Sequence, residues 1–235
     1  RNTLDTGTYG HELILEPIGF YDRYFRVPLA IEYPTALHTS AELKDALKAA
    51  GQKVSGTKSE LVKRLLDAKP NTLIFDDLIA KSIIKGAGVK AYNEAVKMVE
   101  DNKCSSLLAA FNDGALSHIT HKTPIDGLVW DDAHRILDTF KSHARAKRLI
   151  SNGFSELTVI ARDPDSGLML KVKFDYINKH AIASDVKSTR SANPNKFRFQ
   201  CRDLRYDVQE SFYKYVANLA GIPVKLFAFI GVEYL

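Results

Sequence analysis

The stretch from residue 168 to residue 187, LMLKVKFDYINKHAIASDVK, carries the pattern that decides the fold. Apolar and polar residues alternate along Leu168–Asp175, which predicts a strand with one apolar and one polar face. A second strand is predicted over Ala181–Lys187, and its Asp185 and Lys187 share a face because they are two residues apart. If the polar faces of the two strands coincide, Asp175 joins Asp185 and Lys187 at one spot.

Two aspartates beside a lysine are the groups that metal-dependent phosphodiester hydrolysis requires. Carboxylates bind hard Mg²⁺ through oxygen, and an ammonium group can position the attacking water or help to deprotonate it. Asp-x-Lys is a common tripeptide, however, and a surface salt bridge explains most of its occurrences. The pattern of these three residues therefore leaves both interpretations open.

Elements on both sides extend the two strands into a sheet. The turn signal Asp163-Pro164-Asp165-Ser166-Gly167 predicts a hairpin between a strand over Leu157–Arg162 and the strand that begins at Leu168. Further on, a helix is predicted over Asp207–Ala220 and a strand over Val224–Glu233. This order predicts an α/β fold, with a mixed central sheet flanked by helices.

Two features near the predicted site suit a phosphate chain. Tyr206, Gln209 and Tyr213 fall on one side of the last helix and form a polar and aromatic stripe, which is also typical of an exposed face. The opposite side, which we expect to face the core, carries Val208, Phe212, Tyr215 and Leu219. The segment 188–205 is predicted to be a loop with a local charge of +4, which favours DNA binding. Its basic residues are Arg190, Lys196, Arg198, Arg202 and Arg205.

A pair of short capped helices is predicted near the N-terminus. Thr39 is followed three residues later by Glu42, and Thr57 by Glu60, so each threonine begins a capping box. Gly51–Gly56 forms the turn between the two helices. The outside of this hairpin is basic, which is typical either of a phosphate-binding surface or of an ordinary solvated face. The basic residues are Lys44, Lys48, Lys53, Lys58, Lys63 and Arg64.

The order of residues in this hairpin resembles a SAP motif, a small helical DNA-binding module. The resemblance covers residues 37–69 and is carried by Leu43-Lys44, Gly51, Val54-Ser55-Gly56-Thr57-Lys58, Glu60-Leu61-Val62 and Arg64-Leu65. It implies that the hairpin binds the backbone of duplex DNA, with Lys53, Lys58 and Arg64 as the candidate contacts.

The remaining segments are predicted to be mostly helical. Helices are expected over Asp76–Lys85, Ala91–Glu100 and Trp130–Ile150. His118 and His121 have the spacing of metal ligands, but no thiolate or acidic cluster near them completes a site, so no metal is predicted there. An N-terminal helix over residues 5–17 contains His11, which by itself is typical of core packing.

Composition limits the class of protein. The chain has 235 residues, 45% of them hydrophobic, a net charge of +5 and a pI of about 9.0. No apolar run approaches the roughly 20 residues that a membrane helix needs, and no signal peptide begins the chain. Cys104 and Cys201 are too few for a disulfide framework or an iron–sulfur cluster, so a reducing cytoplasmic compartment is expected. Both chain ends are interpreted as cuts in a longer protein.

Together the motifs resemble the nuclease core of the RecE exonucleases (the exodeoxyribonuclease VIII family), within the PD-(D/E)XK nuclease superfamily. The resemblance covers about residues 5–28 and 125–235. It is carried by Gly7-Thr8-Tyr9-Gly10-His11, Leu15-Glu16-Pro17, Glu156, Gly167-Leu168, Lys173-Phe174-Asp175, Ser184-Asp185-Val186-Lys187-Ser188-Thr189, Asn193-Pro194, Tyr206, Gln209 and Phe212-Tyr213. The SAP-like hairpin would then be an insertion into this core.

The resemblance implies a role for each matching residue. His11, Asp175 and Asp185 would bind Mg²⁺ or Mn²⁺, together with the main-chain carbonyl of Val186. Lys187 would be the catalytic lysine. Glu156 matches an acidic position ahead of the hairpin, and a support role for the site or the DNA is implied for Gln209, Tyr213 and Tyr206. The implied domains are residues 1–36 and 125–235 as the nuclease core, 37–69 as the SAP-like insertion and 70–124 as a helical extension.

The same resemblance implies a function. It is the digestion of linear double-stranded DNA from 5′ ends, which leaves 3′ single strands for an annealing protein of the RecT type in phage or prophage recombination. A ring-shaped homo-oligomer is also implied, and ATP is not expected because the chain has no phosphate-binding loop. Three alternatives stay open: a structure-specific or defence endonuclease, a non-catalytic DNA-binding protein, and an RNA-processing nuclease.

Overall fold

A computed structural model describes residues 3–233, with side chains from Thr6 onward except that of Asp113. The chain divides into two compact units. The sheet unit combines the N-terminal segment up to Phe20 with Val129 and all that follows, and the inserted unit is Tyr21–Leu128. None of the described helices has the length and apolar character needed to cross a membrane.

The described residues form both helices and strands. The helices are α1 (Thr3–Leu15), α2 (Pro17–Arg23), α3 (Ser40–Ala49), α4 (Lys58–Ala68), α5 (Phe75–Ala87), α6 (Val89–Glu100), α7 (Gly127–Ser142), α8 (Ala144–Leu149), α9 (Pro194–Asp203) and α10 (Tyr206–Leu219). The strands are β1 (Tyr24–Val27), β2 (Thr123–Asp126), β3 (Gly153–Arg162), β4 (Met169–Asn178), β5 (Ile182–Thr189) and β6 (Leu226–Glu233). Short 3₁₀ turns lie at Ala30–Glu32 and Ala109–Gly114.

The sheet unit is built on a mixed sheet in the order β3-β4-β5-β6. β3, β4 and β5 are antiparallel neighbours, and β6 returns parallel to β5 after α9 and α10. β5 pairs with β6 along its whole length but with β4 only through Ser184 and Ala183. Beyond Ser184 the two strands therefore diverge. The expected α/β fold with a mixed sheet and flanking helices is confirmed.

The core of this unit lies between the sheet and α10. Phe174 of β4 is 1% exposed and contacts the ring of Phe227 on β6. Val216 and Ala217 of α10 are fully buried in the same cluster. The opposite face of α10 was expected to pack here, and that prediction was wrong: Val208, Phe212 and Tyr215 are exposed, and only Leu219 reaches the core. The buried face instead uses small side chains and the ring of Tyr213, because these fit closely over the sheet.

Two further expectations about this unit needed correction. Residues 188–205 are not all loop, since α9 forms after Asn193, which caps it, with Pro194 at the first helical position. The helix expected over Trp130–Ile150 is divided at His143, whose ring nitrogen accepts the amide of Ala146 and caps α8.

The inserted unit contains the predicted hairpin. Thr39 and Glu42 form the capping box of α3, and Thr57 and Glu60 form that of α4, as predicted. Leucines at helical spacing pack the two helices together; they are Leu43, Leu47, Leu61 and Leu65. β1 and β2 form a parallel pair that packs with α5 and α6 in a second cluster.

Gly153 at the start of β3 is predicted to be required for the sheet. A Cβ at this position would overlap the carbonyl oxygen of Ile177 and the Cα of Asn178, both backbone atoms of β4. We expect Gly153→Ala to lower the free energy of unfolding by about 1–3 kcal/mol. Urea denaturation measures this loss. Gly231→Ala on β6 is the matched control, because its Cβ would lie 3.4 Å from the ring of Phe197, an ordinary contact; an equal loss in both variants would contradict the explanation.

Candidate metal centre

The site lies where β4 and β5 diverge. Because β4 no longer pairs with β5 there, the amide of Val186 lacks a backbone partner on β4, and it donates instead to Oδ2 of Asp175 at 2.7 Å. The end of the β4–β5 pairing thus leaves an amide free to hold the carboxylate of Asp175 at the point where the strands diverge, which we call the fork. Asp185 lies on the neighbouring strand beside it, and the negative charges of the two carboxylates interact.

His11 reaches the fork from α1. Its Nε2 lies 3.0 Å from Oδ2 of Asp175. Two glycines allow α1 to approach this closely: a Cβ on Gly7 would lie 3.1 Å from the side chain of Ser188, and one on Gly10 would lie 2.8 Å from Ile136. Close packing therefore explains why glycines occupy these two positions before His11, and the sequence pattern alone did not reveal this.

Glu156 completes a group of three side chains of the types that bind metal ions. Its neighbours Ser155 and Leu157 pair with Tyr176 and Phe174 of β4, so Glu156 lies opposite Asp175 at a position that the ladder itself skips. Its φ of 56° is in the left-handed region, a conformation that is costly for glutamate and occurs preferentially at functional sites. The ligand atoms of His11, Glu156 and Asp175 all lie within 4.8 Å of one another. Two carboxylates and an imidazole fit a divalent cation.

Asp185 is held by a different set of contacts. Its side chain is almost fully buried, Gln209 donates its Nε2 to Oδ1 at 2.6 Å, and Nζ of Lys187 lies 2.7 Å from Oδ2. Burial is the main cause that raises the pKa of Asp185, and the charge of Asp175 raises it further, against the opposing effects of Lys187 and Gln209. A bound cation would relieve this repulsion between carboxylates.

Tyr213 lies between the core and the carboxylates of the site. Its ring contacts Phe174 edge-on, at a centroid distance of 5.1 Å. Burial, and then the charge of Asp185, raise the pKa of its phenol, so Tyr213 is a neutral hydrogen-bonding group at pH 7. Tyr213 and Gln209 thus lie one turn apart on α10 and face the carboxylates together.

The raised pKa of Asp185 predicts a pH dependence of stability. Between its ordinary pKa near 3.8 and the raised pKa, the folded metal-free protein retains a proton that the unfolded chain has lost, so its free energy of unfolding falls as pH rises. Asp185→Asn cannot titrate. We expect the stability of this variant relative to the wild type to increase from pH 4 to pH 7, as measured by urea denaturation in EDTA.

An exposed aspartate gives the contrasting control. The pair with Arg205 lowers the pKa of Asp207, so the wild type gains stability from this group as pH rises. Asp207→Asn should therefore lose stability relative to the wild type only as pH rises toward the ordinary pKa of 3.8, and it should change little from pH 4 to pH 7. A rise in Asp207→Asn equal to that in Asp185→Asn from pH 4 to pH 7 would contradict the assignment.

The basic residues predicted to bind DNA fall into two groups. Those of segment 188–205 are all exposed, on α9 or beside it; they are Arg190, Lys196, Arg198, Arg202 and Arg205. The guanidinium groups of Arg198 and Arg202 both lie over the ring of Phe199, at 4.9 and 5.3 Å from its centroid. Phe199, which is about half exposed, was not singled out from the sequence because its segment was interpreted as a loop.

In the inserted unit, two predicted contacts are occupied within the protein. Arg64 donates to the carbonyl oxygens of Lys53 at 2.6 Å and Ser55 at 3.1 Å, and so holds the turn between α3 and α4. Lys58 forms an ion pair with Asp76. The side chain of Lys53 is exposed. His118 and His121 are absent from the metal-binding group found among the described residues.

Comparison with known proteins places these observations in a family. A model of the PDDEXK-like domain of unknown function (DUF3799) matches residues 80–233, more than half of the chain, and a SAP domain model matches residues 39–68. No curated protein sequence matches the chain. Among solved structures it is similar to one described as "Putative exonuclease" from Eubacterium rectale, with 13% identity over 86% of this chain and 70% of that chain and a TM-score of 0.37. The chain belongs to the DUF3799 family of PDDEXK-like domains, and it also carries a SAP domain.

Proposed function

We propose that this protein is a metal-dependent, ATP-independent exodeoxyribonuclease that hydrolyses linear double-stranded DNA. One observation carries the proposal: the fork between β4 and β5 brings a histidine and two carboxylates next to an Asp–Lys pair. PDDEXK-like nucleases generally use divalent metals, and the match to this family supports the same chemistry here.

The residues at the fork are proposed to have separate roles in metal binding, water orientation and support. His11, Glu156 and Asp175 would hold Mg²⁺ or Mn²⁺, with Asp185 and the carbonyl of Val186 completing the set. When bound, the metal lowers the pKa of a water and stabilises the leaving oxygen. Lys187, as an ammonium paired with Asp185, would orient the attacking water and stabilise the hydroxide that forms when this water loses its proton to the solvent. Gln209 holds Asp185, and Asp185 in turn holds Lys187. Tyr213 would support the site by packing its ring on Phe174 with its phenol near Asp185.

The DNA is proposed to follow the exposed basic residues. Arg198 and Arg202 flank Phe199 on α9, so this helix offers both charge for phosphates and a ring on which a base can stack. The SAP domain offers Lys53 and the other exposed lysines of the hairpin, which suit backbone contacts to a duplex. Arg64 and Lys58 serve the hairpin structure, as their internal contacts indicate.

The finer parts of the proposal come from the RecE resemblance. They are digestion from 5′ ends, a RecT-type annealing partner, a ring-shaped oligomer, and a phage or prophage origin with action in the cytoplasm. The nuclease core is proposed to consist of residues 1–36 and 125–235, interrupted by the SAP-like segment 37–69 and the helical segment 70–124.

Digestion of labelled DNA tests this function. Linear duplex labelled at the 5′ or the 3′ end and covalently closed circular duplex are incubated with the protein and Mg²⁺, without ATP, and in parallel with EDTA. We expect loss of the linear form alone, early release of the 5′ label, and no reaction in EDTA. Cleavage of the closed circle would identify an endonuclease, preference for an RNA competitor would identify an RNA nuclease, and binding without cleavage would leave a DNA-binding protein.

A further inference from the structure

The ammonium group of Lys187 has a second neighbour besides Asp185. Its Nζ lies over the ring of Tyr206, 4.9 Å from the centroid. An ammonium in this position is attracted by the negative face of the ring, and the attraction is stronger where water is excluded. Tyr206 is only 8% exposed, so its ring is buried beside Lys187. The polar and aromatic stripe on α10 had suggested that this ring contacts DNA, but the ring is not presented to DNA.

Tyr206 is itself fixed on both sides. Its ring stacks on Phe229 of β6, with centroids 5.1 Å apart and planes at 24°. Its hydroxyl accepts a hydrogen bond from Nε2 of Gln200 on α9 at 3.1 Å. Gln200 is anchored in turn, because the hydroxyl of Thr189, which is buried at the end of β5, donates to its Oε1 at 2.7 Å. A series of contacts thus leads from Lys187 through Tyr206 and Gln200 to Thr189, which lies on β5, the same strand as Lys187.

The backbone between α9 and α10 makes this arrangement feasible. Arg205 adopts a left-handed conformation, with φ 52° and ψ 50°, immediately before α10. The chain turns there, and Gln200 lies against Tyr206, six positions further along the sequence. A left-handed conformation is costly for a residue with a side chain and persists where the surrounding structure imposes it.

We propose that Tyr206 is a positioning residue for Lys187, with its ring holding the ammonium against Asp185 and Gln200 holding the ring. This inference rests on the proposed catalytic use of Lys187. Without the ring, Lys187 could turn toward solvent on its flexible stem, since Asp185 contacts it on one side only. α9 would then serve the chemistry through Gln200 as well as the DNA through its arginines.

A spectroscopic measurement tests the contact without any cleavage. Protons that lie over an aromatic ring resonate upfield, so the side-chain methylene next to Nζ of Lys187 should show an upfield signal in protein labelled with ¹³C-lysine, assigned by its loss in Lys187→Arg. We expect Tyr206→Phe to keep this signal and Tyr206→Leu to lose it. Tyr215→Leu, on the exposed face of α10, is the matched control and should leave it unchanged. An ordinary lysine shift in the wild type would overturn the proposal.

A double-mutant cycle tests the consequence for catalysis. We expect Tyr206→Leu to lower kcat about tenfold or more with little change in KM, and to cause no further loss in a Lys187→Ala background, because it acts only through that lysine. Tyr206→Phe preserves the packing on Phe229 and should lose only a few-fold, and thermal unfolding checks that each variant is folded. An equal loss in both backgrounds, or a raised KM with unchanged kcat, would overturn the positioning role. If the wild type fails to cleave DNA, the proposed function is wrong while the upfield signal still decides the contact.

Discussion

Lys187→Ala is expected to lower the rate constant for DNA cleavage by about 10³-fold, within the range that a positioned proton-transfer group contributes. The ammonium is the single cationic side chain in contact with Asp185 among the described residues. It is partly buried at the fork, where its charge is less screened than at the surface. The measurement is the single-turnover rate on an end-labelled linear duplex at saturating Mg²⁺.

Lys141→Ala provides the matched control for this variant. Lys141 lies in the last turn of α7 with its side chain exposed, and we expect the rate of this variant to equal that of the wild type. Metal affinity should not fall in Lys187→Ala, because the lysine is not among the proposed metal ligands and its positive charge beside Asp185 opposes a bound cation. A cleavage rate within a few-fold of the wild type would refute the catalytic role of Lys187.

Asp175→Asn is expected to weaken metal binding by at least about 100-fold, more than the loss of a residue that only supports a ligand. Asp175 interacts with several parts of the site: Val186 donates to it, His11 lies against it, and its charge acts on Asp185. An asparagine keeps the shape but removes the negative charge, and its amide nitrogen cannot bind a cation. Cleavage should fall with the occupancy of the metal.

Titration calorimetry with Mn²⁺ measures this loss directly, without DNA. A metal at 100 times its dissociation constant stabilises the folded state by about 2.7 kcal/mol, so thermal unfolding gives a second readout that should disappear in the variant. Asp165→Asn in the exposed turn between β3 and β4 is the control. Equal Mn²⁺ affinity in Asp175→Asn and the wild type would refute the proposed centre.

Much of the local structure follows from the sequence. The alternation along Leu168–Asp175 and the turn at residues 163–167 predict the hairpin, since side chains of a strand alternate between faces. The capping boxes at Thr39 and Thr57 predict the two hairpin helices, because each satisfies backbone amides within four residues. These interactions are short-range, so neighbouring residues are enough to determine them.

The tertiary structure decided what depends on distant segments. In the sequence, more than a hundred residues lie between His11 and Glu156. The pairing of β3 with β4 brings Glu156 to Asp175, and the close packing of α1 at Gly7 and Gly10 brings His11 there. The buried side of α10 was wrongly predicted, because a tyrosine ring and small residues can line a core as well as larger aliphatic residues.

The same reason explains the contacts around Lys187. Gln200 acquires its role only because α9 forms and the chain turns at Arg205. Tyr206 is buried because β6 brings Phe229 against its ring. The sequence by itself thus determined the strands, turns and helix caps, and placed Asp185 and Lys187 on one face. Only the packed structure decided which side chains surround that pair, because packing depends on the complementary shapes of segments that are far apart in the chain.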